Sequence, residues 1–420
     1  MRAKGFCSKK PLGEDVSMIN LADRLGKLIY RNVLNSFCGL NINITTPDGQ
    51  LHHLAEIKHD SKPAEILVNK WSVFWDMITG FDLGFAQSYI DGKWDSSDLT
   101  YLFETISRSN QSDSLGNISR FAPRKIRAQI EQKFKVSNNR FWAKRNIQKH
   151  YDLSNQFFQG FLDPSMTYSS AVFSGSDLNL ERGQERKVNV LLEASKLKET
   201  DHILDIGCGW GSLIAMAASK YGCKATGVTL SENQYRYCLE LIDKLGLENR
   251  VTVILGDYRN LEGNFDHIFS VEMIEAVGHK GLGVFFELCA RLLNDNGSIQ
   301  LQAINIPHQR YDKYRKNCDF IQKYIFPGGL LPSLTRMSDI ASKHSLVVTE
   351  STSIGYDYFL TLEEWKQNLT SNWQVMLDQG FKIEFMRKFD YYFSYCAGAF
   401  KSNHIDNHQI SFRKRQSIVV

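Results

Sequence analysis

The chain has 420 residues, 43% hydrophobic and 23% charged, with 50 Lys+Arg against 46 Asp+Glu and a formal net charge of +4. That is ordinary globular composition, long enough for two or three domains, and it excludes collagen-like, coiled-coil and disordered chains. No run of 18 uncharged apolar residues is present and the first residues hold charge without an apolar core, so neither a spanning helix nor a signal peptide is expected, and a cytoplasmic location is.

In chain order, residues 1–109 predict a small α+β domain. Leu40 to Thr46 alternates with period two, Pro47-Asp-Gly49 supplies a turn, Ala64 to Val68 is an apolar run, and Phe74 to Tyr89 reads as helix. Residues 110–149 begin with a polar, small-residue linker up to Ser119 and continue as a basic segment. Between Arg120 and Lys149 lie ten basic residues and the single acid Glu131, a local +9 that leaves −5 for the remainder. Ile126, Ile130 and Phe134 stand at i, i+4 and i+8, which predicts an amphipathic helix.

Within residues 150–420, strands and helices alternate from Asp201 onward. The predicted strands are 202–206, 225–229, 251–255, 266–271 and 298–303; the helices are 212–221, 232–245 and 281–293. This β-α repeat predicts an α/β fold with a doubly wound parallel sheet. The eight cysteines form no Cys-x-x-Cys and no His-paired spacing, so a reduced chain without a metal site is expected.

Between the first strand and its helix runs Leu204-Asp-Ile-Gly-Cys-Gly-Trp-Gly211. Glycines there let the backbone approach a ligand at a helix N-terminus, although a turn that merely packs the helix is the plainer alternative. With Asp205 ahead of Gly207, Cys208, Gly209 and Gly211, the loop resembles motif I of class I S-adenosylmethionine-dependent methyltransferases, a Rossmann-like fold. Asp257-Tyr258 follows the third strand, where such enzymes hold the adenine. Thr229-Leu230 and Gln234 follow the second, where they hold the ribose and methionine portions. An acid ending the second strand is missing.

Seven motifs in one order resemble the cyclopropane-fatty-acyl-phospholipid synthases and the related mycolic acid cyclopropane synthases. They are His150 to Phe158, Leu162 to Ser170, the glycine loop, Gly227 to Gln234, Asp257-Tyr-Arg259, Tyr324-Ile-Phe-Pro-Gly-Gly-Leu-Leu-Pro332 and Cys396-Ala-Gly-Ala-Phe400. Phe81 to Ala86 and Asp91-Gly-Lys-Trp94 extend the resemblance into the N-terminal domain. On this reading residues 1–109 are a lipid- or substrate-associated domain, and 150–420 are the S-adenosylmethionine-dependent catalytic domain.

The resemblance implies methyl transfer to a cis double bond of an acyl chain, then proton loss to a bound bicarbonate, giving a cyclopropane. Carried over by position, the anion would be held by Glu275, Tyr358 and the main chain at Ile304. Three departures stand out: Ser170 replaces the usual Cys, Ala276 follows Glu275 where a His is usual, and Gln302 replaces the His of the fifth strand. Gln302 donates a hydrogen bond but exchanges no proton at neutral pH, so a methyl-branched or methylene product is an alternative to the ring. A solvated strand-end acid is the plainer reading of Glu275 and of Glu272, a core tyrosine that of Tyr358, and an inert buried thiol that of Cys396. Tyr168 and Ser169 would touch the methionine portion of the cofactor, and Val271 would also be a cofactor-binding residue.

The basic segment fits a helix on an anionic bilayer, with a solvated charged face as the plainer alternative; no nucleic-acid module accompanies it. Family members are commonly dimeric, so a homodimer is an open expectation. Two other classes compete: a small-molecule methyltransferase on the same scaffold, and a non-catalytic lipid-binding homologue, which would bind cofactor without labelling lipid.

Overall fold

The computed structural model describes residues 16–55, 61–109 and 155–415. The basic segment 120–149 and the start of the His150 motif therefore lie outside the described residues. Packing divides the chain into two units, one holding the described residues up to Asp98, the other holding Leu99–Ser109 and residues 155–415.

In the first unit, helix Val16–Leu34 precedes β1 (Ile42–Thr45), β2 (Leu51–His53), β3 (Ala64–Val68), helix Ser72–Ile90 and β4 (Trp94–Asp95). The sheet order is β2-β1-β3-β4, with β1 and β3 parallel. Period two works as the pattern promised: Ile42 and Ile44 are buried while Asn43 and Thr45 are half-buried. Helix Ser72–Ile90 kinks at Phe81, whose φ is 53°. Gly84 permits the kink, because a Cβ there would lie 1.9 Å from the carbonyl oxygen of Asp76. Trp94 stacks on Phe85 at 4.1 Å and donates its indole N–H to the Phe85 carbonyl at 2.9 Å. Both N-terminal motifs are thus packing motifs of this unit's core.

The second unit is built on a seven-stranded sheet of order β10-β11-β9-β8-β5-β6-β7. Strands β5 (His202–Ile206), β6 (Lys224–Thr229), β7 (Val251–Leu255), β8 (Phe265–Val271) and β9 (Leu293–Asn305) run parallel, as expected. Two strands were not expected. β11 (Asp406–Lys414) pairs antiparallel with β9, and β10 (Leu346–Ser353) pairs antiparallel with β11. Both escape a hydrophobicity reading: β10 is a polar edge strand, mostly exposed, and β11 buries Asn407, Gln409 and Ser411 alongside only two apolar side chains, Ile410 and Phe412.

Helices cover both faces. Leu204, Ile206, Ile268 and Ile299 pack under helix Gly278–Leu292 through Phe285 and Phe286. Ile203, Ala225 and Phe269 pack under helices Ser212–Tyr221 and Leu180–Ser195. Parallel strands place the C-terminal ends of β5 to β9 along one rim, where ligands of open α/β sheets bind.

The expected N-terminal domain ended at residue 109, but helix Leu99–Ser109 packs in the second unit against helix Ile383–Lys401. A Cβ on Gly398 would lie 2.6 Å from the backbone nitrogen of Glu104. Among the described residues no helix is long and apolar enough to cross a membrane.

Candidate active site

The glycine loop leaves β5 with left-handed backbone at Gly207, Gly209 and Gly211, at φ 85°, 54° and 90°. A Cβ on Gly207 would meet Met273 Cγ at 2.7 Å, so any side chain there would close the loop against its neighbour. Gly211 caps helix Ser212–Tyr221 without a side chain, which leaves the first N–H groups facing the rim. Asp205 is buried, and its Oδ1 has no hydrogen-bond partner among the described residues. Burial pushes its carboxyl up to about 7, with Lys187 opposing. An orphaned buried oxygen beside an open glycine cradle fits a cofactor carrying a cationic amino group.

The other cofactor candidates differ in what they can offer. Lys187 Nζ donates to Ser169 Oγ at 2.7 Å, and burial lowers its ammonium to about 8 against the pull of Glu272, Asp163 and Asp205. That bond fixes the Tyr168-Ser169-Ser170 segment. Tyr168 donates to Tyr392 Oη at 3.4 Å, with its ring 5.2 Å from both Phe158 and Trp365. Thr229 Oγ1 donates to Gln234 Oε1 at 2.7 Å, closing the turn after β6, with Leu230 half-buried between them. Asp257 accepts from the Arg259 backbone at 3.0 Å and pairs with its guanidinium, while Tyr258 lies edge-on to Phe285. Cys208 is anchored by its backbone N–H to Val228. Leu204 is wholly buried in the core cluster under helix Gly278–Leu292, so its side chain does not face the rim. Val271 ends β8 opposite Gln302.

Just past Val271 the chain places Glu272 at φ 51°, left-handed backbone that costs a non-glycine residue about 1–3 kcal/mol. Its carboxylate gathers four donors. Oε1 accepts from the Ser170 backbone N–H at 3.0 Å, Gln302 Nε2 at 2.8 Å and Asn407 Nδ2 at 2.7 Å. Oε2 accepts from the Tyr358 hydroxyl at 2.8 Å. Gln302 is oriented in turn by Gln409 Nε2, which donates to its Oε1 at 3.0 Å. Register explains the convergence: Gln302 pairs with Gln409 and Ile304 with Asn407, so all four share one face of the β9–β11 ladder.

Tyr358 stacks on Phe400 at 4.6 Å, and burial followed by the Glu272 charge pushes its phenol well above its usual range. Ser170 Oγ turns away to the Ala171 carbonyl at 2.9 Å, so this residue serves through its backbone.

Glu275 lies in a different setting. Oε1 accepts the Ile304 backbone N–H at 2.6 Å, while Oε2, buried, meets no partner among the described residues. Burial, then the charge of Glu272, pushes this carboxyl up to about 8. The Pro-Gly-Gly motif holds it in place, since Leu330 N–H donates to the Glu275 carbonyl at 2.8 Å. Cys396 is held as a thiol by burial, which raises it far above its ordinary value, and its motif supplies the helix contact at Gly398.

The arrangement brings together Ser170, Gln302, Tyr358, Ile304 and Glu275, as expected, but around Glu272. A bicarbonate held by these donors does not fit, because Glu272 and Glu275 already occupy them. The sequence pattern marks Glu272 as an acid at a strand end, with a solvated side chain as the plainer reading, and carries no signal for Asn407, Gln409 or Lys187. The joint departure at Ser170, Ala276 and Gln302 was the available signal for Glu272; an isolated Asn in a polar stretch offered none.

The family model for mycolic acid cyclopropane synthetase matches residues 138–410. A tuberculostearic acid methyltransferase of Mycobacterium tuberculosis is 35% identical over 342 residues, 78% of this chain and 78% of that one. The cyclopropane-fatty-acyl-phospholipid synthase of Escherichia coli K12 is 35% identical over 356 residues, 84% of this chain and 89% of that one. Among solved structures, a mycolic acid cyclopropane synthase complexed with S-adenosylhomocysteine and CTAB aligns with TM-score 0.61 and 32% identity, over 64% of this chain and 98% of that one. The chain belongs to the mycolic acid cyclopropane synthetase family, as an S-adenosylmethionine-dependent methyltransferase of the cyclopropane synthase type that modifies acyl chains.

Proposed function

We propose that the protein methylates a cis double bond in the acyl chains of membrane phospholipids and closes a cyclopropane ring there. One observation carries the reading: an acceptor-only carboxylate at the β8 terminus, flanked by buried aromatic rings. Bound S-adenosylmethionine supplies an activated methyl. The chain's own residues must exclude water, steady a cation on the acyl chain and receive a proton. Tyr358, Trp365, Tyr168 and Phe400 form a connected aromatic wall, whose π-faces suit a transient cation in a dry cavity. The Escherichia coli relative is a phospholipid synthase, and the stretch shared with it is longer than the second unit alone, which supports a phospholipid substrate.

The +9 segment supports docking at an anionic bilayer, the surface where such chains are found. A second reading, a methyl- or methylene-branched product, is favoured by Gln302, which relays no proton. Mass spectrometry of acyl chains from a host expressing the protein decides. A gain of one methylene on unsaturated chains supports methyl transfer, and hydrogenation then separates ring from alkene; no gain overturns the proposal.

A further inference from the structure

We infer that Glu272 is the base of this enzyme, its carboxylate standing where the family's resemblance would place bicarbonate. The inference rests on the methyl transfer proposed above and names the group that ends it.

Three observations converge. First, Tyr358, expected to hold a free anion, donates to Glu272 instead, joined by Ser170 N–H and Gln302 at two of the departing positions and by Asn407. Second, the two oxygens are unequally used. Oε1 accepts three N–H groups, whereas Oε2 accepts one phenol and keeps a lone pair for a proton. Third, the residue holds left-handed backbone at the end of β8, a strain the site retains in order to keep a carboxyl there.

The step balances without any added reactant. Methyl transfer leaves a cation on one alkene carbon and a new methyl on the other. Glu272 Oε2 takes a proton from that methyl, and the C–H electron pair closes the third ring bond onto the cationic carbon. The products are a neutral cyclopropane and a protonated Glu272, still held by its donors. Glu275 is unsuited to this role, since burial keeps it protonated at neutral pH.

The test uses the full chain, phosphatidylglycerol vesicles with cis-unsaturated chains, and methyl-labelled S-adenosylmethionine. Wild-type ring formation should change less than about twofold between carbon-dioxide-stripped buffer and added bicarbonate. Glu272→Gln should lose about 100-fold or more, the scale of a positioned base, and should not recover with bicarbonate. Glu272→Gly should lose as much in stripped buffer and regain about tenfold with bicarbonate, because the freed donors can hold it. S-adenosylhomocysteine affinity should stay within about threefold in both variants, showing an intact cofactor site. A wild type that loses tenfold on stripping, or a fully active Glu272→Gln, overturns the inference while methyl transfer stands. Wild type that labels no acyl chain at any bicarbonate level overturns both.

Discussion

Glu272 and Glu275 are three residues apart, yet one carboxyl accepts four hydrogen bonds and the other accepts one. Burial, then the charge of Glu272, pushes the Glu275 carboxyl up to about 8, so it keeps its proton at neutral pH close to the hydrogen-bonded carboxyl of Glu272. Two carboxyls with opposed environments are the usual arrangement for separating acid and base roles.

The first consequence is a pH dependence of stability. Glu275 has an ordinary value of 4.5 and about 8 in the folded chain, so folding favours its protonated form. That stability is whole below 4.5 and is lost as pH rises through about 8, at about 1.4 kcal/mol per pH unit between them. Urea unfolding of Glu275→Gln should show a slope shallower by about that amount, since its amide has no proton to lose.

Tyr358→Phe removes the only donor to Glu272 Oε2 among the described residues and keeps the stack on Phe400. Loss of a hydrogen bond to a charged group costs about 1.5–3 kcal/mol, so kcat should fall about 10- to 100-fold. S-adenosylhomocysteine affinity, measured by calorimetry, should be unchanged.

Asp205 should make cofactor affinity pH-dependent. With its carboxyl near 7, it is ionised at pH 8 and largely protonated at pH 6. Binding of S-adenosylhomocysteine should therefore tighten about tenfold across that range, and Asp205→Asn should flatten the curve.

Gly398→Ala forces a methyl toward the Glu104 backbone and Phe103 Cβ, at 2.6 and 2.7 Å. Overpacking of this kind costs about 1–3 kcal/mol, and the denaturant midpoint should drop accordingly. A neutral result would mean that helix Leu99–Ser109 is not fastened there.

Raising salt from about 0.1 to 1 M should release the protein from anionic vesicles without weakening cofactor binding, because the attraction of the +9 segment for an anionic surface is what salt screens. Cosedimentation and calorimetry on one sample measure both.

The sequence made the cofactor half of the sheet legible because its signals are local. Helix Glu232–Leu245 starts where the Ser231 side chain caps Gln234 N–H and stops at left-handed Gly246, and its expected bounds match. Helix Ser212–Tyr221 is bracketed by two left-handed glycines, Gly211 and Gly222. β11 was illegible because buried Asn407 and Gln409 break its apolar pattern, and their partners, Glu272 just past β8 and Gln302 on β9, lie more than a hundred residues earlier. Glu272 was visible as a residue but not as a role, since its donors come from four separate stretches of chain.

Sheet order carries a further consequence. The glycine loop, Thr229 and Asp257 follow β5, β6 and β7, while Gln302, Ile304, Asn407 and Gln409 sit on β9 and β11, with Glu272 on the seam at β8. With the cofactor on the glycine loop and Glu272 as base, as proposed above, methyl supply and proton removal would occupy opposite wings of one scaffold. Substitutions on the β9–β11 wing can redirect what the acyl cation becomes, ring or branch, while the wing that grips the cofactor stays untouched. Such a partition lets new lipid products arise from an old methyl donor site by changes confined to two neighbouring strands.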